Sequence, residues 1–342
     1  MRRAAIFIVL SLLYTAGCAP APLRAHIDMT ASGGILWPGK PEKPRIKYLW
    51  SLQNVAAEEA AKESGSLELL FGSTDPSKAR ILLRPQGVYV DDRRFYIADP
   101  GAGRVTVIDR KTMEVMDITD AKGVPLAYPL SVVAGRDGRM YVSDPDLGKV
   151  SIYSEKGDFV SYLQGAMTRP AGLAIDNDRG LLYVVDSLGH CVYIYGTDGV
   201  RKGVIGKRGD GNGEFNYPGY AFVDGKGMLY VTDALNFRVQ VFAPGGAFAR
   251  AIGRLGDSYD TLDKPKGVAA DSFGNIYVVD DGKDMVKIFN PEGRLLLFFG
   301  TTGHGYGDFY LPTGLFIDRE NVIYVADTIN MRVQAFQLLS GE

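Results

Sequence analysis

Pro312-Thr313-Gly314, then Ile323-Tyr324-Val325-Ala326-Asp327, then Asn330-Met331-Arg332-Val333-Gln334-Ala335-Phe336: each piece reads as a short strand followed by a polar turn. The same text recurs five times upstream. Its tyrosine–aspartate pairs are Tyr96/Asp99, Tyr141/Asp144, Tyr183/Asp186, Tyr230/Asp233, Tyr277/Asp280 and Tyr324/Asp327, so the aspartates stand 45, 42, 47, 47 and 47 residues apart. A proline opens every unit (Pro85, Pro129, Pro170, Pro218, Pro265, Pro312), and Gly87, Gly172, Gly267 and Gly314 follow two places later in four of them. Within the fourth unit four apolar or alternating runs, 220–223, 228–232, 238–242 and 248–252, are separated by turn residues such as Asp224-Gly225 and Pro244-Gly245-Gly246. Four strands in each ~45 residues, repeated six times, predict an all-β, six-bladed β-propeller with four-stranded antiparallel blades.

The sixth copy stops after its third strand, with Ser340-Gly341-Glu342 ending the chain. An open edge of this kind is best closed by a strand from the opposite terminus. Arg45-Ile46-Lys47-Tyr48-Leu49-Trp50-Ser51-Leu52 is strand-like and belongs to no unit, so 45–52 is the expected closing strand, with 67–72 as its rival. Val55 to Ser64 is rich in helix formers, and 54–70 reads as a helical insertion capping one face of a propeller domain 45–338.

The first 17 residues carry Arg2 and Arg3, a short apolar run and small residues before Cys18. Ten apolar-dominated residues are too few to span a bilayer, which takes about 20. The pattern is that of an export signal, and Thr15-Ala16-Gly17-Cys18 resembles a bacterial lipobox. That resemblance implies cleavage before Cys18, a lipid on its sulfur, and, with Ala19 rather than aspartate behind it, the outer membrane. Residues 18–44, rich in Pro, Gly, Ala and Ser, read as a flexible tether. Loss of Arg2 and Arg3 takes the formal charge from −2 to −4, which offers nucleic acid no electrostatic footprint. Cys191 is the only other cysteine and lies in the alternating run 191–195, as a small buried hydrophobe would.

From residue 85 onward the units resemble NHL repeats. The pattern is carried by Gly206-Lys207-Arg208-Gly209-Asp210-Gly211-Asn212-Gly213-Glu214-Phe215 leading to Pro218, and by Asn236, Arg238, Val239, Val241 and Phe242. Blade six repeats it with Gly300, Gly303, Gly305, Gly307, Phe309, Pro312, Asn330, Arg332 and Val333; Lys149, Cys191 and Met285 replace the arginine in blades two, three and five. Tyr-x-x-Asp is also similar to the six-bladed YWTD propellers, although the repeats hold no tryptophan. The resemblance implies the propeller fold and leaves function open.

Repetition assigns the six aspartates to turn-locking, since catalysis needs a residue once. Arg104, Lys149, Arg238 and Arg332, five positions on, are their expected basic partners. Asp210, Asn212 and Glu214 superficially resemble a calcium loop without its closing bidentate glutamate. Some NHL-type propellers are lyases that hold zinc with three histidines. Here the propeller offers only His190 and His304, read as solvated loop residues, while His26 lies in the tether. No cofactor or metal is therefore expected, with zinc or calcium as the candidates to test. No serine-nucleophile motif or phosphate-binding loop is present. Leu147, Leu188, Leu235, Phe237, Ile329 and Met331, together with the two histidines, fall in turns that differ between blades. They either form a binding rim or pack between blades.

The leading expectation is a monomeric, lipid-anchored, non-enzymatic scaffold of the cell envelope for a protein, peptide or glycan ligand. The alternative is a metal-dependent lyase or hydrolase acting in the central channel. RNA binding, known for cytoplasmic NHL proteins, fits neither the export signal nor the acidity.

Overall fold

The computed structural model describes residues 23–57, 79–256 and 258–339. Five four-stranded antiparallel sheets and a sixth, larger one form the ring. In blade four the order is Pro218–Val223, Leu229–Asp233, Arg238–Phe242 and Phe248–Ile252, from the axis outward. The second strands carry the Tyr-x-x-Asp text, and their tyrosines are among the largest fully buried side chains. Sheets stacked this way bury both faces, which is why the runs are apolar throughout instead of cleanly alternating.

Close approach of the innermost strands explains the Pro-x-Gly signature. A Cβ on Gly314 would sit 2.3 Å from Gln86 O, and one on Gly87 2.4 Å from Leu130 O; Gly172 and Gly267 meet neighbouring backbone at 2.6 and 2.5 Å. Glycine is required there by space, not by backbone angle.

The ring is closed by an N-terminal strand, Ile46–Ala57, antiparallel to Arg332–Leu338. The expected 45–52 lies inside it except for Arg45; the rival, 67–72, falls outside the described residues. Residues 54–57, the start of the expected helical insertion, are strand, because Ala79–Ile81 and Leu23–Asp28 pair with them on either side. Pairing on both edges outweighs the local helical preference. The rest of 54–70 lies outside the described residues, apart from this stretch, as do residues 1–17 and Cys18.

The tether expectation for 18–44 also needs correction. Leu23–Asp28 forms a further strand outside Ile46–Ala57, and Leu36–Trp37 pairs with Lys47 and Ile46. Leu23, Ala25 and Ile27 alternate with Arg24, His26 and Asp28, a strand period that a composition reading overlooks. The strand reaches blade one, where Ala25 N–H donates to Met113 O. Trp37 packs on Phe299 and Phe336 with ring centroids 5.7 and 5.8 Å away. Its ring occupies the place a Cβ on Gly307 would need. The segment thus straps blades five, six and one together.

Candidate functional site

All six repeat aspartates are fully buried on one face of the ring, where the inter-blade connectors and the turns after the second strands meet. Each accepts backbone N–H groups from the connector that enters its own blade. Asp99 holds Leu83 and Arg84 N–H at 2.7 and 2.8 Å, and Asp144 holds Ala127 and Tyr128. Asp186 holds Thr168 and Arg169, Asp233 holds Asn216, Asp280 holds Lys264 and Asp327 holds Tyr310. Burial pushes the Asp327 carboxyl up, against the opposing pull of the Tyr310 N–H, Asn330 and Arg332.

Partner cations vary by blade. Arg238 and Arg332 donate Nε to Asp233 and Asp327 at 2.8 Å. Arg104 donates to Thr106 Oγ1 and lies 3.8 Å from Asp117. Lys149 lies over the Tyr162 ring, 6.0 Å from its centroid, because Asp144 is already bonded to four backbone N–H groups. In blade five the cation sits two places later: Lys287 Nζ reaches Asp280 Oδ2 at 2.7 Å.

The glycine-rich connectors are fastened from within. Arg238 Nη2 donates to Gly211 O and Glu214 O, and Asn236 Nδ2 donates to Gly209 O. A guanidinium therefore already engages carbonyls that a calcium reading would assign to the ion. Glu214 is partly buried and held below the usual range, first by the Gly211 N–H and then by Lys207.

The turn residues divide between the two expectations. Leu188, Leu235 and Met331 are exposed, whereas Leu147, Phe237 and Ile329 are partly buried. His190 differs from the solvated reading. It is buried, and its Nδ1 accepts from Tyr217 N–H at 3.2 Å under an edge-on Tyr217 ring. His304 is exposed, with Nδ1 2.5 Å from Asn330 Oδ1. The fourth residue after each aspartate adopts left-handed backbone: Gly103, Gly148, His190, Phe237, Asp284 and Met331.

From this face the axis narrows to a neck of about 50 Å³ lined by Gly87, Ser131, Gly172, Gly314 and apolar side chains, with Tyr89 and Tyr220 its only titratable groups among the described residues. At the mouth Gln86 Nε2 donates to Tyr128 Oη at 2.7 Å. Asp281 and Tyr128 both act on the Tyr220 phenol, and the Asp281 carboxyl is raised by burial against the opposing pull of Lys266 and Lys264. The three histidines lie in separate places, and no group of three His, Cys, Asp or Glu among the described residues is placed to hold a metal ion. Among the described residues, no donor set fits the metal that a lyase would need.

Beyond the neck the axis opens on the opposite face into a cavity of about 760 Å³. Its floor is aromatic: Phe316 packs 4.9 Å from Tyr89 and 5.9 Å from Phe222. Its walls are the turns joining first and second strands, and these carry aspartates that the Tyr-x-x-Asp reading passed over. Asp91, Asp224, Asp271 and Asp318 each cap their turn through Oδ1 and accept the hydroxyl of Tyr96, Tyr230, Tyr277 or Tyr324 through Oδ2. In these four blades the repeat tyrosine thus ties one end of its strand while the repeat aspartate ties the other, whereas Tyr141 in blade two donates to Thr197 O. An aspartate five or six residues before the tyrosine in blades one, four, five and six is the available signal.

Fold and axis together define a six-bladed β-propeller with a choked neck and one open cup. The sequence matches the SMP-30/gluconolactonase/LRE-like region over residues 75–254, more than half of the chain, and a β-propeller repeat over 252–279. The chain belongs to the SMP-30/gluconolactonase/LRE-like family. No curated protein sequence matches it. Among solved structures, virginiamycin B lyase from Staphylococcus aureus superposes with TM-score 0.56 at 15% identity, over 75% of this chain and 95% of that one. An auxiliary nutrient binding protein from Bacteroides thetaiotaomicron does so with TM-score 0.59 at 13% identity, over 74% and 68%. A chain of the nidogen/laminin complex reaches 0.54 at 17%, over 70% and 91%. At such identities the likeness is one of fold. The same ring serves a lyase, a nutrient binding protein and a member of a protein complex.

Proposed function

We propose that this chain is a non-enzymatic binding propeller of the bacterial envelope, anchored by lipid on Cys18, that holds a ligand in its axial cup. The carrying observation is the cup itself: about 760 Å³, within the range of small-molecule sites, with an aromatic floor closed by the neck. The neck supplies no carboxylate, histidine or lysine to move a proton. The reading is tested by screening the purified protein against small organic compounds for thermal stabilisation, in parallel with Phe316→Arg, which fills the floor. Ligands that stabilise the parent and not the variant support it. A screen whose hits bind both equally sinks it. Replacing Cys18 by Ala should release the protein from the membrane fraction; retention would remove the anchor from the proposal.

A lyase or hydrolase acting at the other mouth is the second reading, favoured by family membership and by Tyr128, Gln86 and Asp281 gathered there. Turnover of gluconolactone or virginiamycin B that is lost in Tyr128→Phe would favour it over binding alone.

A further inference from the structure

We infer that the axial cup, taken as the binding site proposed above, selects an organic cation: an alkyl- or aryl-ammonium or guanidinium group on an apolar body. Shape and charge point the same way. The floor presents the rings of Tyr89, Phe222 and Phe316, a surface that attracts a cation to its electron-rich faces. The lining carries ten carboxylates against four arginines, and Arg94, Arg139 and Arg179 just outside it pair with Glu155, Asp137 and Asp176, so the formal balance moves from −6 to −3 and stays acidic around the cup. Low-dielectric walls focus such a field into the opening and concentrate counter-ions there.

The arginines do not cancel this field at the centre, because three of them are held on the walls. Arg93 bonds Glu155 at 2.6 Å, Arg136 pairs with Asp178, and Arg110 donates to Asp91 O while lying over the Phe95 ring. The hairpin carboxylates are fixed by their turns and tyrosines, so they meet a ligand already oriented, with little ordering cost. They are also distributed one hairpin at a time around the ring. That spacing defeats a metal ion, which needs its oxygens within one coordination sphere, and the described residues hold no such group. A larger cation with its charge spread over an apolar body meets several carboxylates and the aromatic floor at once.

The test titrates benzyltrimethylammonium, agmatine, benzyl alcohol and benzoate into the purified protein, followed by calorimetry at two salt concentrations. Binding should follow the order cation, neutral, anion, and should weaken as salt rises. Asp92→Asn with Glu320→Gln removes two exposed rim charges that cap no tyrosine and should weaken the cations several-fold while leaving benzyl alcohol unchanged. Phe316→Leu keeps an apolar floor without its ring and should weaken the quaternary ammonium about tenfold, as loss of a desolvated cation–π contact does. Unfolding midpoints of the variants check that the fold is kept. If benzyl alcohol or benzoate binds as well as the cations and is lost in Phe316→Arg, the cation inference fails and the cup remains a site. If no probe responds to any cup variant, the binding reading fails with it.

Discussion

Lys287 Nζ lies 2.7 Å from Asp280 Oδ2 with both side chains almost wholly buried, and it also donates to Thr261 O. Blades four and six place Gln240 and Gln334 at the matching position, bonded to Asp233 and Asp327 at 3.1 and 3.0 Å, and carry their cation two residues earlier on Arg238 or Arg332. Blade five has Met285 there, so the charge has moved along the strand while its target has stayed.

Lys287→Met should therefore cost about 3–5 kcal/mol, the usual penalty for leaving one member of a buried pair uncompensated. Met285→Arg combined with Lys287→Gln rebuilds the arrangement of blades four and six and should recover most of that loss. Urea denaturation midpoints decide it. A double variant no more stable than Lys287→Met would show that the two solutions are not interchangeable.

Alkaline pH should unfold the ring through its tyrosines. Burial raises the phenols of Tyr48, Tyr89, Tyr96, Tyr141, Tyr183 and Tyr195. It likewise raises those of Tyr220, Tyr230, Tyr277 and Tyr324, and it lifts Tyr153 and Tyr193 to about 12. A raised folded pKa means the folded state prefers the neutral phenol. The stability this contributes is complete below pH 10, where unfolded tyrosine ionises, and is lost as pH climbs towards 12. Absorbance of tyrosinate should rise in one cooperative step together with loss of sheet circular dichroism. Gradual ionisation of all tyrosines near pH 10 with the fold intact would contradict the burial argument.

Gly314→Ala tests whether space alone dictates the Pro-x-Gly glycines. The new methyl would stand 2.3 Å from Gln86 O, a backbone atom that cannot swing aside. Overpacking of this kind costs about 1–3 kcal/mol. Gly225→Ala, with nothing within 4 Å, is the matched control and should change little. Equal midpoints for the two variants would mean that the inner strands can separate freely.

The repeat was legible because six copies of Tyr-x-x-Asp average out the ambiguity of any one strand. The aspartates at 99 to 327 read as turn locks for the same reason. Lys287 is not legible because the cation of the repeat belongs at the arginine position, which Met285 occupies. The strap is not legible because prolines and glycines dominate 18–44, and the alternation of Leu23, Ala25 and Ile27 gains meaning only from its partner, Ile46–Ala57. The cup was hidden for another reason. Its floor gathers Tyr89, Phe222 and Phe316 from blades one, four and six, which lie far apart in sequence and meet only when the ring closes.

Met331→Gly separates folding from function on the other face. Met331 has φ of 54° and an exposed side chain, so it bears left-handed strain that Gly103 and Gly148 avoid in blades one and two. Relieving that strain should stabilise the protein by about 1 kcal/mol, the lower end of the penalty for a side chain in this conformation. His190 and Asp284 hold the same conformation with buried side chains, whereas the Met331 side chain is exposed and open to a partner. The variant should therefore be more stable by thermal unfolding and should lose crosslinks to envelope proteins through this face. If it is destabilised, the Met331 side chain is a packing element of blade six and not part of a binding rim.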